Sequence, residues 1–262
     1  MISVKEEYDN IFQIFLEHEE QIIRDIKSSK YPLTFKSIYY KIKAIDQLVL
    51  ALESCIDNNY SSQVLTRALL EHYLIGYYIY VKNENIKTDA IGEEYYKNYT
   101  CSEFFKRKTY SIQIENIRKG VTQKVNMDTI KELYPEFDFM SQQDLQDVHS
   151  KSRQFMDMKW MGQYLVENGG TKKSLEVLHV VMLEFLDRYN ILSSYIHGGP
   201  SAESNCFYPN SGNPETGISS PEENIEWGQL ASKSLKVYFI FGLGYQYPEK
   251  YMEIVDEMMK WV

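Results

Sequence analysis

Two short stretches of this chain hold residue types that could do chemistry. The first, Arg67-Ala68-Leu69-Leu70-Glu71-His72, sets a guanidinium, a carboxylate and an imidazole among Val64, Leu65, Leu74 and Ile75. Unpaired charge in such surroundings is costly. Arg67 and Glu71, four apart, share a helical face, so an internal ion pair accounts for both. Chemically, an imidazole such as His72 can serve as acid or base, and a guanidinium such as Arg67 can stabilise charge on a phosphate. Five residues turn a helix by roughly 140°, so the two side chains leave it in different directions. His72 also falls in a stripe with Leu65, Ala68 and Ile75, where simple packing explains it.

The second stretch is Tyr189-Asn190-Ile191-Leu192-Ser193-Ser194-Tyr195-Ile196-His197-Gly198-Gly199-Pro200. Ser194 and His197 are neighbours on one face, but no Gly-x-Ser-x-Gly elbow accompanies them, which argues against a hydrolase triad. An imidazolium at a helix C-terminus is stabilised by the helix dipole, a sufficient structural role for His197. Yet it stands where an apolar helix meets a long loop, a common setting for function. Of the two histidines, His197 is therefore the expected functional one. The five histidines include no His-x3-His pair, and neither a compact acidic cluster nor a phosphate-binding glycine loop is present, so no metal or cofactor is expected.

Helices must position these groups. Tyr8, Ile11, Phe12, Phe15, Leu16, Ile22, Ile23 and Ile26 recur at helical spacing and predict one amphipathic helix up to Lys30-Tyr31-Pro32. A second helix is expected over 33–56, closed by Asp57-Asn58-Asn59, and a third from a Ser61 or Ser62 cap to about Val81. The third is apolar nearly all round, as the middle of a bundle requires. Further helices are predicted over 89–125, 141–150, 153–167, 171–196, 222–244 and 248–262. The helices over 33–57, 60–82 and 171–197 are the expected centre. Between Gly198 and Pro221 the chain is rich in Gly, Pro, Ser and Asn, which predicts a long loop. No strand alternation, internal repeat or linker stands out, so the reading is one all-α domain over 1–262, a multi-helix bundle.

Bulk composition narrows the function classes. The formal net charge of -9 disfavours an extended phosphate backbone, leaving nucleic acid to a local basic patch. Lys106, Arg107, Lys108, Arg118, Lys119 and Lys124 are the nearest to one, and a solvated helix face explains them. Three scattered cysteines predict no disulfide framework and a cytoplasmic setting. The first residues read as no secretory signal, and no apolar run reaches the length of about 18 residues that a membrane span needs. The 22 tyrosines suit helix interfaces or a subunit boundary.

Three segments together resemble a bacterial helical family catalogued as a domain of unknown function, some members of which occur near defence genes. They are Arg67-x3-Glu71, Lys159-Trp160-x-Gly162, and Tyr189-x3-Ser193-Ser194-x2-His197-Gly198. The resemblance covers about residues 40 to 200. It implies a helical fold in which Arg67, Glu71, Trp160, Ser194 and His197 converge, and no assigned activity. The Arg67 to His72 spacing is similar to the Arg-(four to six residues)-His signature of HEPN domains, helical RNA-cleaving toxins that often dimerise. Those toxins favour a polar residue after the arginine, where this chain has Ala68.

Two functional readings follow. One is a HEPN-like, metal-independent ribonuclease of stress or phage defence, working through Arg67 with His72 or His197, with Glu71, Trp160, Tyr189 and Ser194 at the substrate. The other is a non-enzymatic helical module that binds a partner protein or a small ligand; a homo-dimer is expected under either reading.

Overall fold

The computed structural model describes residues 3–122, 125–135, 138, 141–155, 157–169, 176–196 and 219–262. His197, most of the 198–221 loop and the side chain of Ser194 lie outside the described residues. Among those residues the protein is all helix, with no strand.

The amphipathic stretch at the start is two helices rather than one. Helix α1 (Val4–Glu17) begins at Ser3, whose hydroxyl accepts the Glu6 amide, and stops at His18, which leaves helical geometry with φ -99° and ψ 4°. Helix α2 (Glu19–Ser28) then resumes. The apolar spacing survives the break: Ile11, Phe15, Ile22 and Ile26 are all buried.

Helix α3 (Pro32–Glu53) carries proline in its first turn, where the missing amide proton costs nothing. Its next two amides are capped from far along the chain, because Asp89 accepts from Leu33 N at 3.0 Å and from Thr34 N at 2.8 Å. Gly92 makes this approach possible, since a Cβ there would lie 2.2 Å from Thr34 N.

Helix α4 (Asn59–Ile86) starts on Asn58, whose side chain accepts the Ser61 amide, and ends at Lys87 in left-handed geometry with φ 57°. The cap therefore precedes the expected serines, and the helix outlasts its expected end by more than a turn. Helix α5 (Ala90–Glu93) runs into a π-helical turn (Glu94–Tyr99) and then α6 (Thr100–Arg118), where a single regular helix was expected. Single π turns inside helices often occur at functional sites. The remaining helices are α7 (Met127–Leu133), α8 (Gln142–Arg153), α9 (Met158–Asn168), α10 (Glu176–Ile196), α11 (Pro221–Gly244) and α12 (Pro248–Met258), with a final 3-10 turn (Met259–Trp261).

Helices α3, α4 and α11 pack on one another, α10 lies along α4, and α1 and α12 flank α11. From Gly228 to Gly244 nearly every residue of α11 is buried, including Lys233 and Lys236. This corrects the expected centre: α3 and α4 belong to it, but α11 rather than α10 is the third member. Helix α10 keeps Val180 and Leu183 exposed. The lysines of α11 are stabilised by partners: Lys236 donates to Asp46 and to the Ser232 hydroxyl, and Lys233 pairs with Glu7. The Lys236 ammonium also lies 5.0 Å from the Phe12 ring centre and 5.5 Å from that of Tyr8. A smaller cluster, Phe105, Ile112, Met127 and Ile130, joins α6 to α7.

Candidate functional site

Arg67 lies on the part of α4 that faces α10 and is only 6% exposed. Its Nη1 donates to Glu71 Oε2 at 2.9 Å, its Nη2 donates to the Tyr189 hydroxyl of α10, and the guanidinium lies over the Tyr189 ring. Nε is buried and has no hydrogen-bond partner among the described residues. Burial pushes the Arg67 pKa down, and the bond to Glu71 opposes that shift. Among the described residues both terminal nitrogens have internal partners, and one face of the guanidinium lies against a ring. These contacts tie Glu71 to Arg67 and join α4 to α10.

Glu71 differs from expectation. The pair was expected to be largely buried, whereas the Glu71 side chain is 42% exposed. One turn beyond Arg67, it brings its carboxylate to the surface beside His72.

His72 meets a residue that the sequence did not single out. Lys41, from α3, stands with Nζ 3.1 Å from His72 Nδ1. An ammonium can only donate, so Nδ1 accepts and the neutral ring keeps its proton on Nε2. Burial, then the Lys41 charge, pushes the His72 pKa down to about 4, against the pull of Glu71. Burial pushes Lys41 down to about 8, and Glu71 again opposes. Between those limits the pair carries one positive charge, on the lysine. The Lys41 ammonium also lies 5.3 Å from the Tyr95 ring centre in the π turn. Gly76 admits this close approach of α3 to α4: a Cβ there would fall 3.3 Å from Lys41 Cβ.

An ammonium in hydrogen-bond contact with an imidazole is an uncommon structural choice, because its charge makes the ring harder to protonate; such perturbed clusters concentrate at functional sites. A signal for Lys41 was present in the sequence. Thr34, Ile38, Lys41, Ile45, Leu48 and Leu52 recur at intervals of four and three, which puts the lysine on the inward stripe of α3.

Trp160 lies elsewhere along α4. Its ring meets Tyr78 edge-on at 5.8 Å and stacks on Tyr164 at 6.0 Å, and Lys82 Nζ lies 5.4 Å from it. Lys82 donates to the Tyr78 hydroxyl and to Gln154 Oε1, both at 2.9 Å, and Gln154 donates to Glu94 at 2.7 Å. Tyr78 is eleven residues from Arg67, about 16 Å along the helix axis. The structure thus brings Arg67, Glu71, His72 and Tyr189 together and sets Trp160 apart from them. Rings connect the two ends: Tyr95 packs edge-on against Phe155, and Phe155 against Tyr78. Tyr78, four residues before Lys82 and seven after Glu71, shares one face of α4 with both.

Among the described residues, no three His, Cys, Asp or Glu side chains group in a way that could hold a metal ion. No helix among them is long and apolar enough to cross a membrane. Comparison with family models, curated proteins and solved structures yields no match to this chain.

Proposed function

We propose that this chain is a HEPN-like helical protein of bacterial stress or phage defence that cleaves RNA without a metal, with Lys41 and His72 as its acid–base pair. The observation that carries the reading is the contact of Lys41 Nζ with His72 Nδ1 beside the half-exposed Glu71. A pKa of about 8 leaves Lys41 able to give or take a proton near neutral pH. The substrate 2′-hydroxyl would lose its proton to the Lys41 amine as its oxygen attacks phosphorus, and the bond from phosphorus to the 5′-oxygen would break, that oxygen leaving with the bonding pair and taking a proton from solvent. The His72 Nε2–H would donate to a non-bridging phosphate oxygen as charge develops there. Arg67, sealed by Tyr189 and Glu71, acts as a positioning residue. Trp160, stacked on Tyr164 and 42% exposed, offers a surface for an unpaired base further along the strand.

The test is induced expression of wild type beside Lys41→Met, His72→Gln and Arg67→Lys, following growth, RNA integrity and the thermal melt of each purified protein. Loss of RNA cleavage in folded Lys41→Met and His72→Gln supports the reading. Intact RNA with wild type, or unchanged cleavage in both variants, overturns it.

A second reading, a helical module that binds a partner protein, is favoured by the outer face of α6. Tyr110 is 64% and Ile117 77% exposed there, with Ile114 and Val121 beside them. The net charge of -9 suits that reading better than it suits RNA.

A further inference from the structure

We infer that Lys41 is a selective acylation site, an amine placed to be modified by acyl phosphates ahead of the surface lysines. The inference shares a residue with the proposed site but does not depend on RNA being the substrate. Three features of the geometry support it. The amine is held at one place, 3.1 Å from His72 Nδ1, by an acceptor that cannot neutralise it as a carboxylate would. The Tyr95 ring covers one side of it, and the narrow Gly76 lets its stem lie between α3 and α4. Among the described residues the charge that acts on it is Glu71, which raises the pKa of Lys41 less than burial lowers it.

In the reaction the neutral amine attacks the acyl carbon, the carbon–oxygen bond to phosphate breaks, and phosphate leaves with the bonding pair. The extra proton on nitrogen passes to His72 Nδ1, which the departing N–H faces, and from the ring to solvent. Acylation removes the positive charge of the pair, so it would switch the site off.

The advantage can be gauged. With a pKa of about 8, roughly a quarter of Lys41 is free amine at pH 7.5, against about 0.1% for an ordinary lysine near 10.4. The lower basicity also weakens the nucleophile; a Brønsted slope of about 0.4–0.5, as for thiolates, takes back roughly tenfold. A net preference of about tenfold remains.

The experiment treats the full chain with acetyl phosphate at pH 7.5 and follows occupancy of each lysine by peptide mass spectrometry. Lys41 should acetylate about tenfold faster than exposed lysines such as Lys30 and Lys260, and the preference should vanish in urea-unfolded protein. His72→Gln, which keeps an acceptor but no proton carrier, should slow Lys41 alone. If folded Lys41 reacts no faster than Lys30, if the preference persists in the unfolded chain, or if His72→Gln leaves the Lys41 rate unchanged, the inference fails. RNA cleavage is read in neither arm, so failure here leaves the proposed function to its own test.

Discussion

Replacing His72 by glutamine should make the protein more resistant to acid. In the unfolded chain the ring takes a proton near its ordinary value of 6.5, whereas in the folded chain burial and the Lys41 charge delay that to about 4. Between those values the unfolded state binds more protons, so stability falls as pH falls from 6.5 through 4. The gap corresponds to about 2 kcal/mol by pH 5 and about 3 kcal/mol by pH 4, a ceiling because the ring is only half-buried. Glutamine keeps an acceptor for Lys41 and does not titrate. Urea unfolding of wild type and His72→Gln at pH 7, 6, 5 and 4 isolates the histidine from the carboxylates that both share. The difference in unfolding free energy should move by roughly 2 to 3 kcal/mol in favour of glutamine between pH 7 and 4. Lys41→Met should show a smaller acid loss than wild type, since it removes the second cause of the shift. Lys41 adds an alkaline limb: its folded pKa of about 8 lies below the ordinary 10.5, so stability rises with pH across that window. Parallel wild-type and glutamine curves from pH 7 to 4 would refute the lowered pKa of His72, and an acid loss in Lys41→Met equal to that of wild type would refute its coupling to Lys41.

Two further outcomes test the frame around the site. Lys236→Met leaves Asp46 as an uncompensated buried charge and should cost about 3 to 5 kcal/mol in chemical unfolding, while adding Asp46→Leu should recover most of it; a single variant as stable as wild type would show that the pair is not sealed. Gly92→Ala would place a methyl group 2.2 Å from Thr34 N, so α5 must shift and release the Asp89 cap. A loss of about 1 to 3 kcal/mol is expected, read as a lower Tm, and an unchanged melt would contradict the close approach.

The all-α fold was legible because α3, α4 and α10 advertise themselves through apolar spacing, and the Arg67–Glu71 pair followed from spacing alone. Helix α11 was undervalued because Lys233 and Lys236 look like a solvated face until their partners are known. Those partners, Glu7 and Asp46, sit in α1 and α3, far away in sequence. Lys41 escaped notice for the same reason: its meaning depends on His72, 31 residues on, which spacing within a single helix cannot show. The π turn had no sequence cue that periodicity could detect, since it differs from α by one residue per turn. His197, the expected functional histidine, lies outside the described residues, so its standing against His72 rests on comparing RNA cleavage by His197→Gln with that by His72→Gln.

The place of Lys236 at the centre of the bundle also governs how the chain comes to fold. Asp46 must wait for a partner 190 residues later. During synthesis at about 5–20 residues per second, that separation leaves the cleft of α3 and α4 open for roughly 10 to 40 s. Val49, Leu52 and Leu69, which border Gly228 of α11, lack their full covering in that interval. Until α11 arrives, Asp46 lies on that open face without its partner, and an unpaired carboxylate opposes burial of the apolar side chains around it. A chain released before residue 236 would therefore keep this apolar face of α3 and α4 uncovered.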